Sequence, residues 1–168
     1  QIWYLNTCSL FRSLSRERID RLESRSKFRA YEAKSLVYLP ADDGDSVLLL
    51  ASGRVKLYHV TSDGRQSVLT FIEPGELFGE LSAIETCDRD EFAEAMEASS
   101  VIMIPGDEMR RLVEEQATVS LELTRLMGLR RRRIERRIKS LLYRTPRERI
   151  ACLLLELAER YAEHSADG

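Results

Sequence analysis

Residues 55–72 read Val55-Lys56-Leu57-Tyr58-His59-Val60-Thr61, then Ser62-Asp63-Gly64-Arg65, then Gln66-Ser67-Val68-Leu69-Thr70-Phe71-Ile72. Two runs rich in β-branched and aromatic residues, joined by a polar turn containing Asp-Gly, predict a hairpin. In the first run Val55, Leu57 and His59 share one strand face, and Lys56, Tyr58 and Val60 share the other. The same pattern extends on both sides. Asp42-Asp43-Gly44-Asp45 is a turn, Val47 to Ala51 a strand, and Ser52-Gly53 another turn. Pro74-Gly75 turns the chain again, and Phe92 to Ile104 holds two more short strands. From about Lys27 to Pro105 many short strands follow one another with no long helix between them, which predicts a sandwich or barrel. Before them, Ser15 caps a short helix from about Arg16 to Ser24, with Ile19 and Leu22 as its apolar face.

After Pro105 the period changes. Asp107 to Glu114 predicts a short helix. Ala117 to Leu142 contains no proline, and Leu123, Met127, Arg130, Ile134, Ile138 and Leu141 recur at three- or four-residue spacing. So narrow a stripe on a helix of roughly 39 Å suits pairing with a second copy better than burial in a globule. Next, Thr145-Pro146-Arg147-Glu148 places Thr at the N-cap, Pro at N1 and Glu at N3, a capping box. Ile150, Leu153, Leu154, Leu157, Ala158 and Tyr161 fill one face of the helix it opens.

Composition narrows the function classes. The chain has 168 residues, 43% hydrophobic and 32% charged, enough for a packed core. No apolar run reaches the roughly 18 residues of a membrane span, and no secretory leader is visible, so a cytoplasmic location is expected. Cys8, Cys87 and Cys152 are far apart, and there are two histidines, His59 and His164. Neither a disulfide framework nor a histidine-rich metal enzyme is expected. The net charge of −2 hides two opposed blocks. Glu85, Asp88, Asp90, Glu91, Glu94 and Glu97 face one base, Arg89; Arg130 to Arg133, Arg136, Arg137 and Lys139 face one acid, Glu135. The chain begins with Gln1, and the last apolar face has little sequence after it, so a longer native protein is expected.

The segment Pro74-Gly75-Glu76-Leu77-Phe78-Gly79-Glu80-Leu81 resembles the phosphate-binding cassette of the CRP/FNR family of bacterial transcription regulators. Glu91-Phe92-Ala93-Glu94-Ala95-Met96-Glu97-Ala98-Ser99 looks like the FNR-type version of the following strand. Arg147-Glu148-Arg149-Ile150 looks like the start of the helix that opens the family's DNA-binding domain. The resemblance implies an α+β chain: a double-stranded β-helix, the jelly roll of cyclic-nucleotide-binding domains, followed by a long dimerisation helix. It divides the chain into a sensor roll with flanking helices (1–114), a dimerisation helix (115–143) and the first helix of a truncated helix-turn-helix domain (144–168). It also implies a homodimer, DNA contacts made through a C-terminal domain outside this chain, RNA polymerase as a partner, no membrane attachment and no enzymatic activity.

In cyclic-nucleotide-binding members, amides near the cassette glycine cradle the phosphate, the glutamate takes a ribose hydroxyl, and a downstream Arg-Ser/Thr-Ala supplies a guanidinium. Here Gly79 and Glu80 match, but the triplet reads Glu91-Phe92-Ala93. Arg89 lies two residues away, roughly 7 Å along a strand, and substitutes only if the loop is re-registered. The adenine-reading positions fall near Ile134 and Glu135. The candidate effector pocket is therefore Phe78, Gly79, Glu80, Leu81, Arg89, Glu91, Phe92 and Ala93, with cyclic AMP not expected to bind. The candidate dimerisation residues are Leu123, Met127, Arg130, Ile134, Ile138 and Leu141.

No cofactor is expected. An FNR-type iron–sulfur cluster needs four thiolates, but only Cys8 lies near the start, and Ile102 and Met103 stand where the strand ligand would be. His59 could give haem an axial ligand, yet a lone strand histidine is more often a packing residue. The alternative reading is a cyclic-nucleotide-binding module without DNA binding, and an enzyme on a cupin-like roll would need a histidine cluster that is absent.

Overall fold

The computed structural model describes residue 5 and residues 8–162. Leu141 of the predicted stripe and Leu153, Leu157 and Tyr161 of the last apolar face lie outside the described side chains. The chain divides into two compact units, Gln1–Glu122 and Leu123–Gly168.

The first unit opens with a 3₁₀ turn at Ser9–Phe11 and helix α1 at Arg16–Arg25. The Ser15 hydroxyl accepts from the Arg18 amide, as a cap should. Eight strands follow: β1 (Lys27–Tyr31), β2 (Leu36–Tyr38), β3 (Ser46–Ser52), β4 (Val55–Val60), β5 (Gln66–Ile72), β6 (Leu77–Phe78), β7 (Phe92–Ala95) and β8 (Ser99–Pro105). Helix α2 (Glu80–Glu85) stands between β6 and β7, and helix α3 (Gly106–Glu115) follows β8. The strands form two antiparallel sheets, ordered β1-β8-β3-β6 and β2-β7-β4-β5. This is the jelly roll that the family resemblance implies, and it agrees with the sandwich or barrel expected from the strand spacing. The hairpin at 55–72 forms with Val55 opposite Ile72, and a bulge interrupts its ladder between Leu57 and Tyr58.

The inner faces of the sheets make the core. Leu48 and Leu50 on β3 and Val101 on β8 point inward and meet Val55 and Leu57 on β4 and Ala93 and Ala95 on β7. The small alanines let β7 lie close under the larger side chains. The outer face of the first sheet is also apolar. Val47 pairs with Ile104 and Leu49 with Ile102, and all four are buried. Helices α1 and α3 cover this face, contributing Ile19, Leu22, Met109 and Leu112. That explains why β3 reads as a continuous apolar run rather than an alternating one.

Ion pairs tie α1 to α3. Arg18 meets Glu115 at 2.9 Å and Arg25 meets Asp107 at 2.8 Å. Arg21 and Arg25 both reach the buried Glu108, at 3.3 and 3.4 Å. The start of α3 is pinned as well: its Gly106 amide donates to the Asp45 carbonyl at 2.6 Å, and Arg110 donates to the Ala83 carbonyl of α2. After α3 a single extended residue, Gln116 (φ −126°, ψ 97°), separates it from helix α4 (Ala117–Tyr143). The Gln116 carbonyl accepts from the amides of Val119 and Ser120, so this junction is hydrogen-bonded on its far side.

The second unit contains the rest of α4 and helix α5 (Pro146–Ala162). The capping box forms as read: the Thr145 amide donates to Glu148 Oε2 at 2.8 Å, and the Glu148 amide donates back to Thr145 Oγ1 at 3.4 Å.

Candidate functional site

The site starts from the glycine of the cassette. Strand β6 pairs Leu77 and Phe78 with Leu49 and Leu48 of β3, which buries Phe78 completely. Gly79 then takes a left-handed conformation, φ +66°, so that the chain can turn directly into α2. A side chain is excluded there for a second reason. A Cβ on Gly79 would collide with the Arg89 guanidinium.

Arg89 is therefore drawn into the cassette. The Arg89 amide donates to the Asp42 carbonyl at 2.9 Å, and its carbonyl accepts from the Ala41 amide at 2.8 Å. Its side chain is only 4% exposed. The guanidinium donates from Nη1 to the Gly79 carbonyl and from Nη2 to the Ser46 carbonyl. It also lies 4.7 Å from the centroid of the Tyr38 ring, a cation–π contact in a desolvated place. The Tyr38 ring stacks on Phe78 at 6.1 Å. Two buried backbone carbonyls thus receive a cation within the cassette.

Glu91 completes the cluster from the other side. Tyr38 donates its hydroxyl to Glu91 Oε1 at 2.5 Å. Burial pushes the Glu91 carboxyl up to about 7, and its hydrogen bond to Asp90 adds to the rise. Asp90 moves the other way, held below its ordinary value chiefly by that bond from Glu91. Burial, with the negative charge of Glu91 next, raises the Tyr38 hydroxyl far above its usual range, so it remains a donor.

The structure brings Phe78, Gly79, Glu80, Arg89 and Glu91 of the predicted pocket together. Glu80 is buried at the first position of α2 and acts electrostatically on Tyr38. The other three residues are placed elsewhere. Leu81 is 51% exposed on α2. Phe92 stacks on Tyr58 at 5.0 Å, and Ala93 is buried in the sheet core. Sequence reasoning missed Tyr38 and Ser46. Tyr38 arrives through its register opposite Ala93, which no local signal in a three-residue strand announces. His59, the candidate haem ligand, is half-buried on β4 opposite Ser67. Among the described residues, no group of three or more His, Cys, Asp or Glu side chains could hold a metal ion.

On α4 the predicted stripe is uneven. Met127, Ile134 and Ile138 are exposed, Arg130 is half-buried, and Leu123 is buried within the single chain. Leu123 differs from its neighbours on the stripe in being already covered.

Comparison with known proteins gives this geometry a family. Residues 28–116 match the cyclic nucleotide-binding domain family. The cyclic AMP receptor protein of Thermus thermophilus is 29% identical over 148 residues, covering 88% of this chain and 68% of that protein. The transcriptional activator protein Anr of Pseudomonas aeruginosa is 31% identical over 150 residues, covering 89% of this chain and 61% of that protein. The sensor domain of the transcriptional regulator DNR of Pseudomonas aeruginosa shares the fold, with a TM-score of 0.69 at 21% identity, over 79% of this chain and 90% of that one. The chain spans between 55% and 68% of the length of these and similar curated relatives. Anr and DNR are, by their names, a transcriptional activator and a transcriptional regulator. Among the described residues, no helix is long and apolar enough to cross a membrane. A jelly roll with a glycine-turned cassette, followed by a long helix, belongs to the cyclic nucleotide-binding domain family, and its homologues are regulators of the CRP/FNR family.

Proposed function

We propose that this chain is the effector-sensing and dimerisation region of a CRP/FNR-type transcription regulator, and that its cassette does not take cyclic AMP. Residues 1–114 form the sensor, 115–143 pair with a second copy, and 144–168 lead into a DNA-binding domain. The observation that carries the reading is the guanidinium of Arg89 engaged by the carbonyls of Gly79 and Ser46. Glu91 occupies the family's arginine position, with Tyr38 bonded to it. A cyclic phosphate would have to displace both carbonyl contacts and then meet Glu91 and Asp90 in a poorly screened pocket.

The test is a thermal-shift and calorimetric titration of the chain with cyclic AMP and cyclic GMP. A ligand bound at 100 µM, supplied at 1 mM, would stabilise the fold by roughly 1.4 kcal/mol and raise Tm by about 3–5 °C. No shift is expected. A clear one would make this a nucleotide sensor despite Glu91. The dimer part is tested separately with Ile134→Asp, which places two facing charges at the seam. The variant should run as a monomer on a sizing column where the parent runs as a dimer. A dimeric variant would remove Ile134 from the seam.

A further inference from the structure

We propose that a proton sets the state of the cassette: the proton that Glu91 shares with Asp90 keeps the Arg89 guanidinium on the carbonyls of Gly79 and Ser46, and its loss releases that guanidinium toward Glu91. This rests on the roll being the sensor of a regulator, and it makes the proton an effector of that sensor.

Arg89 is buried without the partner a cation ordinarily has. Both hydrogen bonds of its guanidinium go to neutral carbonyls, and its remaining contact is the face of the Tyr38 ring. Among the described residues, nothing accepts from Nε, which is also buried. Neutral acceptors replace only part of the hydration that a guanidinium gives up, so its place in the cassette is costly.

The missing negative charge stands two residues along the chain. Glu91 is half-buried, and the charge of Arg89 acts on it. Tyr38 joins the two, with its ring 4.7 Å from the guanidinium and its hydroxyl donating to Glu91 Oε1 at 2.5 Å. While Glu91 holds its proton it is neutral, bonded to Asp90, and a weak competitor for Arg89. Once the proton leaves, two adjacent carboxylates repel each other, and a guanidinium bonds a carboxylate more strongly than it bonds a carbonyl. Burial sets this exchange at about pH 7. The cassette is therefore closed below that value and loosened above it. Two further charged groups face the cluster. Glu80 acts on Tyr38 from α2, and His59 acts on Asp90 from β4. Glu80 is an acid and cannot replace Arg89, whereas His59 titrates in a similar range and needs its own control.

The two carbonyls belong to elements that both hold α3. Gly79 stands at the start of α2, whose Ala83 carbonyl accepts from Arg110. Ser46 opens β3, and the Asp45 carbonyl before it accepts the Gly106 amide at 2.6 Å. Arg89 thus staples together the two supports of α3, and its release loosens both.

The experiment follows the carbonyl-carbon NMR signals of Gly79 and Ser46 in the isotope-labelled whole chain, between about pH 5.5 and 8.5. Both should move together, with a midpoint near 7. In Glu91→Gln they should keep the low-pH positions of the parent throughout. In Asp90→Asn the midpoint should fall, and in His59→Gln it should stay. An unchanged amide pattern outside the cassette checks that each variant is folded. Four outcomes overturn the proposal: flat signals in the parent, parent-like movement in Glu91→Gln, an unchanged midpoint in Asp90→Asn, or loss of the movement in His59→Gln. A Tm rise with cyclic AMP would overturn the reading of the cassette given above, whereas flat signals without such a rise would overturn the proton switch alone.

Discussion

Arg89 in the roll and Arg131 on the long helix are the same residue in opposite situations. Arg89 is 4% exposed, and carbonyls and an aromatic ring surround its guanidinium. The side chain of Arg131 is 80% exposed, and it pairs with Glu135 one turn along the helix. Both make short polar contacts, yet their energetic weights differ. Burial makes each bond of Arg89 hard to replace with water, whereas solvent replaces the partner of Arg131 at little cost. The comparison teaches that a charged side chain becomes architectural when its surroundings exclude water. Arginine content alone says nothing about it.

Four measurements would break or sharpen this contrast. Arg89→Ala should cost about 3–5 kcal/mol in urea unfolding, because it removes the guanidinium from two buried carbonyls and opens a cavity. A loss below about 1 kcal/mol would mean that the guanidinium is not structural. Gly79→Ala comes next, at about 1–3 kcal/mol, from the left-handed backbone and the collision with Arg89. A variant as stable as the parent would show that Arg89 can leave the cassette freely.

The third concerns pH. Folding raises Glu91 from its ordinary value of 4.5 to about 7, with burial as the main cause. A raised acid favours the folded state while protonated. Its contribution is full below about pH 4.5 and is lost as the pH climbs through about 7. After allowance for solvent screening, the effect is on the order of 1–2 kcal/mol. Glu91→Gln should flatten the stability profile between pH 5 and 8, and an unchanged profile would place the titration elsewhere. The smallest effect belongs to Arg131→Ala, for which no measurable shift in the unfolding midpoint is expected. A clear destabilisation would erase the contrast with Arg89.

Much of the roll was readable because its signals are local. The Asp63-Gly64 turn announces the hairpin, and the capping box announces α5, since both depend on residues within one turn of chain. Strands β2 and β6 were not readable individually. At three and two residues they exist only because β7 and β3 supply partners. The site shows the same division. Gly79 and Glu80 stood out through the cassette motif, and Glu91 through its place in the triplet. The inward turn of Arg89 follows from the Asp42 and Ser46 carbonyls, 47 and 43 positions earlier in the chain, which no window of sequence connects to it. Tyr38 escaped notice for the same reason.

The lone extended residue between α3 and α4 has a mechanical consequence. Gln116 breaks the helical path between α3 and the start of α4 through two torsions. Helix α4 has 27 residues and is therefore about 40 Å long. The first turn of that long rod is held on both sides of the bend: Ser13 donates to Thr118 at 3.0 Å, and the Ser120 hydroxyl donates to the Val113 carbonyl at 2.5 Å. Arg110 and Gly106 anchor the near side of that bend to α2 and to Asp45, the residue before β3.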